Sequence, residues 1–198
     1  MESKKPLSAM SLEELWQLFP ISLVAHNEKW ANEYAQMEVF LNEIFTDVPI
    51  VRISHIGSTA IKDIAAKDIV DILVETDDIE MAASKAEMNG FIRMSSGSGR
   101  ISLNKGYTPE GFADEVFHLH IRQVGDNDEL YFRDYLNDHP EIAREYERLK
   151  QELAIMYEHN RDAYTDGKTA FVRHWTAEAR KLYGQRYERK HHNPAGRA

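Results

Sequence analysis

Residues 69–75, Ile-Val-Asp-Ile-Leu-Val-Glu, constrain the fold more than any other stretch. A run so rich in β-branched and apolar side chains reads as a strand covered on both sides, yet it contains an acid. With a period of two, Val70, Ile72 and Val74 share one face, and Ile69, Asp71 and Leu73 share the other. A carboxylate on such a strand is costly unless it is paired, hydrogen-bonded or bound to a metal. An ion pair with Lys67 or Arg52 meets that need. So does a divalent cation, Mg2+ or Mn2+, held beside a bound phosphate, since such cations favour oxygen ligands.

Thirteen residues before that acid stands Ser58, in the turn Gly57-Ser58-Thr59. Glycine lets a backbone turn sharply and approach a ligand. If residues 60–66 open a helical turn, the amides and the Ser58 and Thr59 hydroxyls make a phosphate-sized nest. The alternative is a plain β-turn or helix cap. The turn follows "VPIVRISHI", where Val51 and Ile53 alternate with Arg52 and Ser54 as in a strand. His55 shares parity with Val51 and Ile53, so it joins a site around Asp71 only if the strand end twists.

A third feature lies in "EVFHLHIRQ". Phe117, Leu119 and Ile121 point one way, and His118, His120 and Arg122 the other. Two histidines at i and i+2, brought beside Asp71, make a two-histidine, one-carboxylate set with metal-ligand or catalytic capacity. Polar alternation on a half-solvated strand is the competing account. Arg133, Lys150 and Lys168 lie in helical segments, where inward-facing cations would neutralise an anion.

Around these motifs the chain reads as follows. Ser11 and Glu14 form a capping box that opens a short helix to about Phe19. A helix over 27–45 carries the stripe Trp30, Tyr34, Met37, Leu41 and Ile44. Another spans 77–90, with Gly90 past its end. Strands are expected in "FIRMS", "RISLNKGY" and "VFHLHIRQV", with "SSGSG" a hairpin turn and "TPEGFADE" a longer loop. From Asn127 the chain is helical, with stripes Ile142, Tyr146, Leu149, Leu153, Met156 and Phe171, Trp175, Ala179, Leu182. The expected class is α+β: a mixed sheet of about five strands with helices largely on one face, then a C-terminal helical segment. An N-terminal extension (1–24), one domain (25–183) and a basic, frayed tail (184–198) follow from this reading.

Composition narrows the function. The chain has no cysteine, which excludes thiolate metal sites and cysteine nucleophiles. Its net charge of −9 argues against a broad nucleic-acid surface. Neither a signal peptide nor a bilayer-length apolar run is visible, so the expected location is the cytoplasm, without a membrane partner.

"HIGSTAIKDIAAKDIVDILV", with Trp30, "NGFIR", "HLHI", "FRDYL", Ala143, Tyr146, Leu149, Lys150, Lys168 and Phe171, resembles the GrpB family, which is grouped with the nucleotidyltransferases. The resemblance covers about residues 25–183. It implies a nucleotidyltransferase-like core and a site in which Gly57, Ser58, Thr59, Lys67, Arg133, Lys150 and Lys168 bind phosphate. Asp71, His118 and His120 would then be its catalytic or metal-binding groups, and a nucleoside triphosphate its substrate or ligand. In this chain Lys62-Asp63 replaces the family's usual Pro-Gly, and Asp68 a Pro. Active nucleotidyltransferases look like Asp-x-Asp on this strand; here the second position is Leu73, which cannot bind a metal. Three functions stay open: nucleotidyl transfer with one metal, nucleotide or phosphate binding without catalysis, and an accessory module acting on a protein partner. The last is implied by related domains joined to dephospho-coenzyme A kinases.

Overall fold

The structure, a computed structural model, describes residues 5–188, so the basic stretch 189–198, including His191 and His192, lies outside the described residues. Helix α1 (Leu12–Leu18) opens on the Ser11–Glu14 capping box. Helix α2 (Lys29–Ile44) follows, then β1 (Ile50–Ile56), β2 (Val70–Thr76), α3 (Ile79–Met88), β3 (Ile92–Gly97), β4 (Arg100–Thr108) and β5 (Gly111–Gln123). Three helices follow among the described residues: α4 (Asp128–Asp138), α5 (Pro140–Met156) and α6 (Arg161–Tyr183). The strands form one mixed sheet in the order β1-β2-β5-β4-β3, and β2 runs parallel to β5. The α+β class and the five-stranded mixed sheet are as expected.

The helices do not gather on one face. Val70, Ile72 and Val74 join Leu119 and Ile121 in a core capped by Trp30 and Leu41 of α2 and Ala82 and Ala86 of α3. On the opposite face Leu73 packs with Ile56 and with Leu130 of α4. Two buried sides explain why β2 reads as almost continuously apolar. The stripes of α5 and α6 bury Ile142, Tyr146, Leu153 and Ala179, but their ends, Met156 and Leu182, are exposed.

The expected loop "TPEGFADE" is instead mostly strand. Thr108 pairs with Gly111 across a tight turn, and β5 begins at that glycine. A bulge between Lys105 and Tyr107 breaks the period, which hides the strand from a pattern search. The Ser98–Gly99 turn has positive φ at both residues, +50° and +76°, as a two-residue hairpin requires.

The segment between β1 and β2 explains both sequence departures. Asp63, standing where the family places glycine, adopts φ +59° and so occupies the left-handed region. Asp68, standing where the family places proline, accepts from Trp30 Nε1 at 2.6 Å and from Lys29 Nζ at 2.8 Å. Asp63→Gly is expected to stabilise the protein by about 1 kcal/mol by removing left-handed strain from an exposed residue. Thermal denaturation checks this: the melting temperature should rise by about 3 °C.

Candidate functional site

The parallel register of β2 and β5 sets Asp71 opposite His118 and Leu73 opposite His120, all on the face away from α2 and α3. Asp71 Oδ1 lies 3.1 Å from His118 Nδ1 and 3.1 Å from His120 Nε2. Its other oxygen, Oδ2, is turned toward Gly57. A Cβ at position 57 would sit 2.9 Å from Asp71 Cβ and collide with Oδ2. Gly57 also has φ +72° and ψ −171°, a conformation that suits glycine. The turn and the acid are therefore one unit, a three-residue bend seated directly on a carboxylate. Burial alone would raise the Asp71 carboxyl; the hydrogen bonds from His118 and His120 outweigh it and hold the group well below the usual carboxylate range. Burial, against the pull of Asp71, pushes the His118 imidazole down to about 4.

Above this unit opens a cleft of about 750 Å3, floored by Gly57, Ser58, Asp71, His118 and His120 and walled by α6. Seven basic side chains line it, Lys67, Arg100, Arg122, Arg161, Lys168, Arg173 and Arg180, against three carboxylates, Asp71, Asp128 and Glu129. Lys67 and Lys168 flank the ring of Tyr164, their Nζ atoms 5.9 and 4.4 Å from its centroid. Burial, with Arg161 and Lys168 nearby, lowers Lys67 to about 7. Burial, with Arg161 beside it and Asp71 opposing, lowers Lys168 to about 8. Another hollow, of about 730 Å3, lies at α1 around Trp16 and His159; it contains none of these groups.

The residues proposed from sequence divide into two sets. Gly57, Ser58, Lys67, Asp71, His118, His120 and Lys168 converge on the cleft. Thr59 borders it but is 4% exposed, with its hydroxyl 3.0 Å from His55 Nε2 and donating to the Ile69 carbonyl at 3.3 Å. Arg133 is not among the lining residues: it donates to the His55 carbonyl at 2.8 Å and to Asp134, fastening α4 to the end of β1. Lys150 is not among them either. It is 1% exposed, donates to the Ala65 carbonyl and stacks on Tyr146, so it fixes the loop that carries Lys67. His55 lies stacked on Tyr34, and the strand end does not twist it into the site. Of the two ion pairs weighed for Asp71, neither forms; Arg52 pairs with Glu75.

Arg100, Arg173 and Arg180 were not marked by the sequence, and neither were the two groups that contact His118. Arg161, the first residue of α6, places Nη2 3.3 Å from His118 Nε2 and donates through Nη1 to the Tyr107 hydroxyl at 3.2 Å. That hydroxyl is 2.8 Å from His118 Nε2, and the β4 bulge aims it there. No local pattern marks either residue, since both reach His118 through tertiary packing.

One nitrogen each from His118 and His120 and an oxygen of Asp71 lie within 4.8 Å of one another, close enough to share a single cation. Two imidazole donors and one carboxylate suit a transition ion such as Mn2+ better than Mg2+, which prefers oxygen throughout. The Asp-x-Asp arrangement for two metals is not present, because the second position is Leu73, fully buried under Leu130.

A mixed sheet with a carboxylate clasp beneath a basic cleft, closed by C-terminal helices, defines the class as an α+β protein with one cleft lined mainly by basic side chains. The chain belongs to the GrpB family: the model described as "GrpB protein" matches residues 20–178. It is 34% identical over 176 residues to UPF0157 protein YqkA of Bacillus subtilis, covering 84% of this chain and 50% of that one. It thus spans half the length of that relative. It is also 34% identical over 164 residues to glutamate-rich protein GrpB of Alkalihalophilus pseudofirmus, covering 77% and 91%. Among solved structures, conserved protein GrpB from Enterococcus faecalis superposes with a TM-score of 0.71 at 30% identity, over 82% of this chain and 99% of that one. Among the described residues no helix is long and apolar enough to cross a membrane.

Proposed function

We propose that this protein binds a phosphorylated small molecule of nucleotide size in the basic cleft, with Lys67, Lys168 and Arg161 receiving the phosphates and Ser58 adding a hydroxyl donor. The observation that carries this is the reversal of charge: seven cations against three acids line one cleft of a chain whose net charge is −9. The cleft's volume falls in the usual range for small-molecule sites. Charge-assisted bonds from such groups are the strong ones. Calorimetric titration with pyrophosphate, ATP and adenosine tests the reading. Binding of the first two but not of adenosine supports it, and binding of adenosine alone overturns it.

A second reading, transfer of a nucleotidyl group with one metal, draws support from the convergence of Asp71, His118 and His120. A bound cation would supply charge neutralisation at the phosphoryl group, while Asp71 and the histidines would hold it. An enzyme-coupled assay of pyrophosphate release from ATP with Mn2+ and a panel of hydroxyl and amine acceptors separates the readings, since pyrophosphate release appears only in the second.

The lysines give the first reading a pH signature. A surface lysine stays charged to about 10, whereas Lys67 and Lys168 lose charge as pH rises through about 7 and 8. Pyrophosphate affinity is therefore expected to fall about tenfold or more between pH 6.5 and 9, although the ligand's own charge grows over that interval. The ligand-free protein should move the other way. Both lysines are lowered relative to the unfolded chain, so the unfolded state binds more protons and folding stability rises with pH from about 7 toward 10. Titrations at four pH values, with melting curves alongside, check both trends.

A further inference from the structure

His118 and His120 hold the same oxygen, Asp71 Oδ1, at the same distance, but the groups behind them differ. Arg161 Nη2 lies 3.3 Å from His118 Nε2, and Arg122 Nη2 lies 3.2 Å from His120 Nδ1. A guanidinium only donates. Each arginine therefore calls for a lone pair on the ring nitrogen it faces, which puts the imidazole proton on the other nitrogen, toward Asp71. The two nitrogens that converge on the carboxylate both carry hydrogen, and in this arrangement neither offers a lone pair to a cation.

The two arginines are not equally free. Arg122 is 6% exposed and donates through Nη1 to the carbonyls of Ile101 at 3.3 Å and Ile121 at 3.1 Å, with Glu129 at 3.5 Å from Nε. It is anchored to the sheet. Arg161 is half-buried on the cleft wall, and besides His118 its guanidinium is held by the Tyr107 hydroxyl at 3.2 Å. That hydroxyl also lies against His118 Nε2 and, unlike a guanidinium, can accept as well as donate. If Arg161 swings to an anion, Tyr107 can accept from Nε2–H, and the proton on Nδ1 can move to Nε2 with no change in the imidazole's charge. His120 has no such release.

We infer that the two histidines have different roles, which narrows the three converging groups to Asp71 and His118 as cation ligands: His120 is a fixed hydrogen-bond donor that orients Asp71, and His118 alone turns a lone pair toward a cation, once an anion in the cleft draws Arg161 away. This rests on the anion-binding reading of the cleft. It makes anion and cation binding mutually reinforcing through one arginine, and such coupling is reciprocal.

The test uses the full chain. Long-range proton–nitrogen NMR of the ligand-free protein should place the His118 proton on Nδ1 and the His120 proton on Nε2. Mn2+ affinity, read from the EPR signal of the free ion, should rise about tenfold in wild type when sulfate, a weakly chelating anion, is added. Arg161→Ala should bind Mn2+ about tenfold more tightly than wild type without sulfate, and sulfate should add nothing further. Arg161→Gln serves if the alanine variant does not fold. His118→Ala should lose Mn2+ binding, whereas His120→Gln should keep it in weakened form. A free-state proton on the outer nitrogen of either ring overturns the inference, as does wild-type Mn2+ affinity in both Arg161 variants. Calorimetry of sulfate alone keeps the two ideas apart: no sulfate binding sinks the anion reading, while the Arg161 variants still decide the role of His118.

Discussion

Gly57→Ala is expected to lower the melting temperature by about 10 °C and to weaken pyrophosphate binding by more than tenfold. Two effects add. The native φ of +72° with ψ near 180° lies outside the region that residues with a Cβ occupy comfortably, which costs about 1–3 kcal/mol. The new methyl would also stand 2.9 Å from Asp71 Cβ and press on Oδ2. Relief requires either the bend or the carboxylate to move, and moving the carboxylate pulls Oδ1 from His118 and His120. Those two bonds keep the Asp71 charge in place, so the floor of the cleft is disturbed with the fold. Gly99→Ala is the control, because its φ is also positive, +76°, but its Cβ would meet only Gln123 Cβ at 3.5 Å. It should lose about 1 kcal/mol and bind pyrophosphate normally. Equal melting points and affinities for Gly57→Ala and wild type would show that the close approach of bend and acid is not needed.

The strands were legible because burial on two sides leaves a local signature. Val70, Ile72 and Val74 alternate with Ile69, Asp71 and Leu73, and parity alone puts the acid opposite the core packed on α2 and α3. The same parity in β5 isolates His118, His120 and Arg122, and the register then brings the two sets together. What parity cannot supply is the identity of the partner. Lys67 and Arg52 were reasonable partners for Asp71 by distance along the chain, yet the carboxylate is satisfied by histidines from a strand about fifty residues away. Lys150 was legible as an inward cation, but a buried backbone carbonyl, Ala65, claims it rather than a ligand. Arg133 is likewise engaged, by the His55 carbonyl and Asp134. Tyr107 and Arg161 were illegible because a bulge and a helix start deliver them, and neither device has a period.

Leu73→Asp, which places an acid where active nucleotidyltransferases carry their second carboxylate, is expected to unfold the protein at ordinary temperatures rather than create a second metal ligand. Leu73 is fully buried, and its neighbours are Ile56 and Leu130, with Tyr187 at the edge. Removing the leucine side chain alone costs about 2–5 kcal/mol. Placing an ionisable group there adds several more, because Arg52, two residues beyond along the paired strand, is already committed to Glu75. Glu75 itself is held by the Gly125 amide and Asn127 as well, each at 3.0 Å, so it is not free to yield that partner. The aspartate would stay protonated or drive α4 off the sheet. Together these terms rival the whole stability of an ordinary domain. Leu73→Ala separates the contributions, since it should remain folded with a melting temperature lower by about 6–15 °C. A folded Leu73→Asp variant that binds two Mn2+ ions would mean that α4 does not seal this position, and two-metal transfer would return as a reading of the site. The packing of Leu130 over Leu73 instead ties the missing carboxylate to the way the helical segment is seated: in this chain, closing the sheet with α4 and building a two-metal floor compete for the same side-chain position.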